Sequence, residues 1–252
     1  MIPVVADLSI AVGLLALMLV ALDAGFRAGR RAGKSEDGGA GSQVGAIQGA
    51  VLGLLGLLLA FSFAAAGSRF LERQDLIAQE ANAIGTAWLR ADLLDEPQRS
   101  ELRAALTDYT SHRVGAVSQL QRGSDRAVLA EVDRLQARIW QAARDGVAGR
   151  PDLVLAVLNP VNETFDLHSL RVNAALKHLP YLVTGLLIGC SLLAVNVIGY
   201  GCGIDGRRRW LLNMSLALLI SCALWITIDL DHPRRGLLQL DDAPLRALKF
   251  ER

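Results

Sequence analysis

Residues 44–66 read VGAIQGAVLGLLGLLLAFSFAAA, a stretch of 23 residues that contains neither a charged side chain nor a proline. At about 1.5 Å per residue, a helix of this length covers the hydrocarbon core of a bilayer, which is roughly 30 Å thick. The stretch therefore predicts a transmembrane helix. The more polar sequence from Ser68 to Leu94 keeps a helical apolar stripe, so we expect the helix to continue outside the membrane and to pack there.

Three further apolar blocks predict spans of the same kind, at about residues 8–26, 179–201 and 210–228. The mean hydropathy of +0.34 is high for a soluble protein, and the apolar residues are concentrated in these blocks. A cleaved signal peptide is the competing interpretation of the first block. However, no basic region precedes it, and Asp7 lies where such a region would be positive.

Together these patterns predict an all-α integral membrane protein with four transmembrane helices and a helical bundle inserted between the second and the third. No alternating strand pattern occurs between the second and the third span. Residues 27–41, RAGRRAGKSEDGGAG, are polar and rich in glycine, so they predict a flexible loop between the first two spans. The predicted domains are a transmembrane hairpin at 1–66, an extramembrane helical domain at 67–178, a second hairpin at 179–229 and a C-terminal tail at 230–252.

Composition and motifs argue against several classes of function. The formal net charge is only +1, and no basic surface with interleaved aromatic residues is evident, so nucleic acid is not an expected partner. No nucleotide-binding loop, nucleophile elbow or metal-binding spacing of histidine or cysteine occurs. We therefore predict no enzyme activity, no catalytic residue, no cofactor and no metal ligand. The three cysteines are read as small packing residues: Cys190, Cys202 and Cys222.

The second span carries a stripe of small residues on one helical face. Steps of three and four residues place its glycines together, which favours close helix packing: Gly45, Gly49, Gly53 and Gly56. A pore wall is the alternative interpretation of the same stripe. In that case the residues along one edge of it would line the pore, with Phe63 as a hydrophobic constriction: Gln48, Leu52, Leu59 and Phe63.

Charged residues follow two of the predicted spans. Arg69 and Arg73 come after the second, and Asp229 and Asp231 come after the fourth. Arginine and carboxylate side chains at a shared membrane boundary can fix one helix end against another through paired hydrogen bonds. Independent, solvated membrane anchors are an equally good interpretation.

Three passages resemble a bacterial membrane family known as domain of unknown function 4239, which is also described as bestrophin-like. They are LLGLLLAFSFAAAGSRFLERQDLIAQEANAIGTAWLRADLL at 54–94, NETFDLHSLR at 162–171 and IDLDHPRRGLLQL at 228–240. The most specific piece is the string from Glu80 to Thr86. The resemblance implies four spans, a helical domain between the second and third, and a homo-oligomer, with a pentamer around an anion-conducting pore as one form. No acidic cluster of the calcium-clasping kind is identified, so calcium gating is not carried over.

The side of the membrane that carries the helical domain stays open. Basic residues in the two short connectors, such as Arg31 and Arg208, favour cytoplasmic connectors and an outer helical domain. The bestrophin layout implies the reverse. Basic residues such as Arg69 and Lys177 near the opposite span ends make the charge rule weak here, and we follow it by a narrow margin.

Two functional hypotheses follow. The first is an oligomeric, bestrophin-like ion channel of the bacterial inner membrane that could conduct anions, with the second span nearest the symmetry axis. The second is a non-conducting membrane scaffold or sensor whose helical domain binds a partner protein. A channel needs a continuous axial path along the second span, whereas in a scaffold that span can be packed shut.

Overall fold

The computed structural model describes residues 2–33, 40–120, 125–232 and 237–250, and the described chain contains helices and no strand. Four helices are long and apolar enough to cross a membrane, which confirms the predicted all-α membrane class. A short 3-10 turn at Ala91–Leu93 follows the second helix. The helices are α1 Ile2–Ala32, α2 Ala40–Arg90, α3 Gln98–Leu120, α4 Asp125–Gly146, α5 Val154–Leu176, α6 Tyr181–Ile204, α7 Trp210–Asp231 and α8 Ala243–Arg246.

The chain divides into two compact units, and α2 contributes residues to both of them. The transmembrane unit comprises residues 1–70 and 178–239, and the helical unit comprises residues 71–177 and 240–252. Within the transmembrane unit, α1 packs chiefly against α6 and also against α7. Its apolar core includes Met18 and Leu224, which are 0% and 1% exposed. In lipid, such contacts stabilise helix association through van der Waals packing.

Glycines allow the backbones of α1 and α6 to approach closely. A Cβ atom added at Gly199 would lie 2.2 Å from the carbonyl oxygen of Leu22, and one added at Gly29 would lie 2.0 Å from that of Tyr200. Because real Cβ atoms do not come so close to backbone, no other residue fits these positions without separating the helices. Asn196 adds a polar link, since its Nδ2 donates to the carbonyl oxygen of Ala21 at 3.0 Å.

The prediction of a flexible loop over residues 27–41 is wrong at both ends of that range. Residues 27–32 continue α1 for more than a further turn, and residues 40–41 already belong to α2, while residues 34–39 lie outside the described part of the chain. The physical reason is the spacing of the glycines. Gly29 and Gly33 lie one turn apart on the face that contacts α6, so they serve helix packing there rather than a turn.

The helical unit has its own apolar core. Each helix of the unit contributes to it: the C-terminal part of α2 supplies Ile84, α3 supplies Tyr109, α4 supplies Ile139, α5 supplies Val161 and the short α8 supplies Leu245. All five side chains are at most 1% exposed. The chain after the last span therefore returns to complete this core through α8.

Candidate functional site

The membrane portion of α2 leaves one helical face open within the chain. In its most apolar 18-residue segment only 17% is buried, compared with 33% in the corresponding segment of α7. A Cβ atom added at any of the four glycines of the stripe would meet no atom within 4 Å: Gly45, Gly49, Gly53 and Gly56. These glycines therefore do not serve packing against this chain's own helices, in contrast to Gly29 of α1 and Gly199 of α6.

The buried edge of α2 fixes the direction of this open face. Leu55 is 2% exposed and Ser62 is 7% exposed, and both lie on the side that meets the core of the transmembrane unit. The residues immediately before and after Ser62 point elsewhere, because each residue advances the helix by about 100 degrees. Phe61 and Phe63 are accordingly exposed, at 67% and 47%.

The four predicted pore-lining residues lie between the buried edge and the open face. Gln48 is half-buried, and its Nε2 donates to the carbonyl oxygen of Val197 on α6 at 3.1 Å. Leu52 and Leu59 are partly buried against the core of the transmembrane unit. Phe63 is the most exposed of the four and projects from the edge of the glycine face. Only Phe63 thus combines a large side chain with free space around it.

The charged residues near the end of α7 form a cluster of hydrogen bonds and ion pairs in the transmembrane unit. The Nε of Arg69 lies 3.4 Å from Oδ1 of Asp231, and the backbone N–H of Leu179 donates to Oδ2 of Asp231 at 2.8 Å. Asp229 accepts the backbone N–H groups of Leu237 and Leu238 at 3.1 and 2.9 Å. The two aspartates therefore hold backbone at the boundary, and Asp231 also meets Arg69.

Arg73 lies in the helical unit. Its Nε donates to the carbonyl oxygen of Ala174 at 3.0 Å, and its Nη2 donates to that of Lys177. Both carbonyls are near the carboxyl end of α5, where helix carbonyls lack partners in the helix. The side chain is only 4% exposed and acts as a cap on that helix end.

Two histidines flank Asp231 and form the candidate metal-ligating group of the described chain. Donor atoms of His178, Asp231 and His232 lie within 4.8 Å of one another. The two imidazole rings stack with centroids 4.7 Å apart and an angle of 8° between their planes. Nδ1 of His178 lies 3.0 Å from the carbonyl oxygen of Asp231, and Nδ1 of His232 lies 3.1 Å from that of Ile228. In the tautomer whose Nδ1 donates to such a carbonyl, Nε2 is the lone-pair donor.

A buried carboxylate, which the sequence analysis did not single out, is at the centre of the helical unit. Glu80 is 0% exposed and accepts from the hydroxyl of Tyr109 at 2.8 Å. Nε and Nη2 of Arg113 donate to its two oxygens at 3.0 and 3.2 Å, and Nη1 of Arg171 also donates to it. Desolvation and the nearby Glu80 charge raise the pKa of Tyr109 far above its usual range, so the phenol stays neutral and donates.

Two signals in the sequence point to this network in hindsight. Glu80 lies three residues after Ile77 and four before Ile84, on the apolar face of α2, where an acid must find a partner. It also belongs to the most specific of the three family-like passages, and Arg171 closes another. The fold brings these two distant passages into contact at one ion pair.

Comparison with known proteins gives one match. The family model described as the Bestrophin-like domain matches residues 9–245, which is nearly the whole chain. The matched range includes the four candidate spans almost completely, together with the helical segment between the second and third. No curated protein and no solved structure matches the chain.

Proposed function

The chain belongs to the bestrophin-like family, and from this premise we propose that it is an oligomeric, channel-like protein of a bacterial inner membrane that conducts anions. The proposed pore runs along α2, with identical α2 helices of neighbouring subunits around one axis. The chain's own residues supply no catalytic group in this proposal, and the activity is passive conduction.

The observation that carries the proposal is the open glycine face of α2. A transmembrane helix whose glycines contact nothing in its own chain has a face free for another subunit or for water. On α1 and α6, by contrast, Gly25, Gly29, Gly199 and Gly203 lie against the backbone of the other helix. The face on α2 carries four open glycines spaced by three or four residues, which supports its use in close approach between subunits.

The chemistry of the proposed pore wall is apolar. Residues 44–66 contain no charge, so the wall would not bind a permeating ion tightly. A ring of Phe63 side chains would form a hydrophobic constriction, where water leaves a narrow apolar passage and ions are held back. We propose that Phe63 controls the flux and that the edge residues Gln48, Leu52 and Leu59 shape the passage beside it.

Ion flux from liposomes that contain the purified full chain tests this function. We expect chloride efflux from wild-type liposomes to exceed potassium efflux, and Phe63→Ala to raise chloride efflux severalfold because it widens the constriction. Phe61→Ala is the matched control, since the same side chain is removed from a position that is also exposed but is two residues away and so on the opposite helical side.

The outcomes separate the two functional hypotheses. Equal flux from the Phe63 and Phe61 variants would reject Phe63 as the constriction. No flux in any protein that is folded and oligomeric would reject conduction and favour the non-conducting scaffold. Potassium selectivity would retain the pore and overturn its assignment to anions.

A further inference from the structure

A concave pocket at the end of α1 is lined mainly by arginines. It has a volume of about 500 Å³ and lies where the last turns of α1 meet the residues just before α7. The lining consists of four arginines, one aspartate and one aromatic residue: Asp23, Phe26, Arg27, Arg30, Arg31 and Arg208. With four positive charges and one negative charge, the lining has a net charge of +3.

Asp23 organises part of this charge. It pairs with Nη2 of Arg27 at 2.6 Å and also with Arg208. Arg30 and Arg31 form no ion pair with any residue that the structure describes, and both side chains are exposed. The pocket therefore presents two guanidinium groups that are free to receive a ligand, beside two that a carboxylate already holds in place.

The depth of the pocket matches the headgroup layer of a bilayer. The span of α1 runs from Leu8 to Ala32, 25 residues, which at about 1.5 Å per residue is several ångströms longer than a hydrocarbon core of roughly 30 Å. Its last turn, with Arg30 and Arg31, consequently extends beyond the hydrocarbon. Phospholipid phosphates lie in this layer.

Aromatic side chains beside the pocket also indicate that it lies in the headgroup layer. The guanidinium of Arg208 lies 5.0 Å from the ring centroid of Phe26 and 5.6 Å from that of Trp210, the first residue of α7. Trp210 is 57% exposed, and tryptophans at the ends of spans sit at the membrane interface. The stacking holds Arg208 at the rim of the pocket and leaves the cavity beside it open.

We propose that this pocket binds the headgroup of an anionic phospholipid. Arg30 and Arg31 hold the phosphate through paired hydrogen bonds, a geometry that guanidinium groups provide and that lysine does not. Asp23 holds Arg27 and Arg208 as a fixed positive rim, and the acyl chains extend along the apolar sides of α1 and α7. The site is independent of ion conduction and would exist equally in a scaffold protein.

The test is lipid binding to the purified full chain, measured by native mass spectrometry with phosphatidylglycerol and with phosphatidylcholine. Wild type is expected to retain phosphatidylglycerol preferentially. Arg30→Gln/Arg31→Gln is expected to weaken that binding by about 30-fold, because each arginine near an anionic lipid surface contributes a factor of about five. Arg207→Gln/Arg209→Gln removes the same charge from the connector before α7, outside the pocket lining, and is expected to change binding little.

Arg30→Lys/Arg31→Lys keeps the charge and provides a second variant should the glutamine variant fold poorly. It is expected to bind phosphatidylglycerol more weakly than wild type and more strongly than the glutamine variant. If Arg30→Gln/Arg31→Gln and Arg207→Gln/Arg209→Gln weakened phosphatidylglycerol binding equally, general surface charge would explain the binding. That result would overturn the proposed site. Displacement of phosphatidylglycerol by inorganic phosphate at equal concentration would assign the pocket to a soluble anion and overturn the lipid.

Discussion

Glu80 compensates buried positive charge in the helical unit. Its carboxylate accepts hydrogen bonds from Tyr109, Arg113 and Arg171, while its own side chain has no contact with solvent. A buried ion pair contributes little net stability compared with an apolar replacement of both partners. Removal of only one partner, however, leaves the other charges unpaired in a medium of low dielectric constant.

We therefore expect Glu80→Gln to destabilise the protein by about 3–5 kcal/mol, because Arg113 and Arg171 would lose their common counter-charge. Thermal unfolding of the full chain in detergent, followed by circular dichroism, measures the effect. Glu131→Gln is the control, since it breaks an exposed ion pair with Arg134 and should change the unfolding temperature little. Similar shifts for both variants would contradict the role of Glu80.

Asp242 gives a pH-dependent prediction in the same unit. Burial raises its pKa above the usual 3.8, although Arg171, Arg246 and Arg113 oppose the shift and Asp241 adds to it. The unfolded chain then releases this proton at lower pH than the folded chain, so the stability contributed by Asp242 falls as pH rises from 3.8 through the folded pKa. We expect the stability of Asp242→Asn relative to wild type to increase as pH rises from 3.8 through the folded pKa, because only wild type loses this contribution.

Urea unfolding of wild type and Asp242→Asn at several pH values within that range measures the difference. The gap between the two free energies of unfolding should widen as pH rises. A constant gap would show that Asp242 has the same pKa in the folded and unfolded chain, and a narrowing gap would reverse the sign of the argument.

At the scale of single helices, two sets of glycines in similar sequence contexts have different surroundings. Gly199 and Gly203 of α6 lie against the backbone of α1, whereas Gly49 and Gly53 of α2 face open space within the chain. Spacing by three or four residues marks both sets as small-residue stripes. Only the arrangement of the helices shows which stripe is already used inside one subunit.

Alanine substitutions should separate these two sets. Gly199→Ala places a Cβ atom 2.2 Å from the carbonyl oxygen of Leu22, so we expect a loss of about 1–3 kcal/mol or more from the forced separation of α1 and α6. Gly53→Ala meets nothing in the chain and should be neutral, or stabilising by up to about 1 kcal/mol through helix propensity. Thermal unfolding in detergent measures the stability of both variants. Equal destabilisation of Gly199→Ala and Gly53→Ala would contradict the close packing of α1 and α6.

For the whole molecule, the open face of α2 predicts an assembly of several subunits. We expect Gly53→Leu to lower the oligomeric state, because a leucine side chain on this face would hold neighbouring α2 helices apart. Gly13→Leu is the matched control, since Gly13 of α1 likewise has no atom within 4 Å of an added Cβ but lies outside the proposed interface. Mass photometry in detergent measures the subunit number. An unchanged number in Gly53→Leu would move the subunit contact away from α2.

The sequence by itself determined the membrane class, the four spans and the family. These follow from the length and hydropathy of contiguous segments, since a bilayer sets the required length of each helix locally. The family-like passages are contiguous strings as well. Such properties do not depend on which helices become neighbours.

The tertiary structure decided which residues meet. Glu80 and Arg171 are 91 positions apart, and the partner of a buried charge depends on packing rather than on local pattern. The continuation of α1 through residues 27–32 likewise depended on contact with α6, because an isolated glycine-rich segment has little tendency to form a helix. The arginine pocket arose in the same way, because folding places Arg208 of the connector before α7 beside the end of α1.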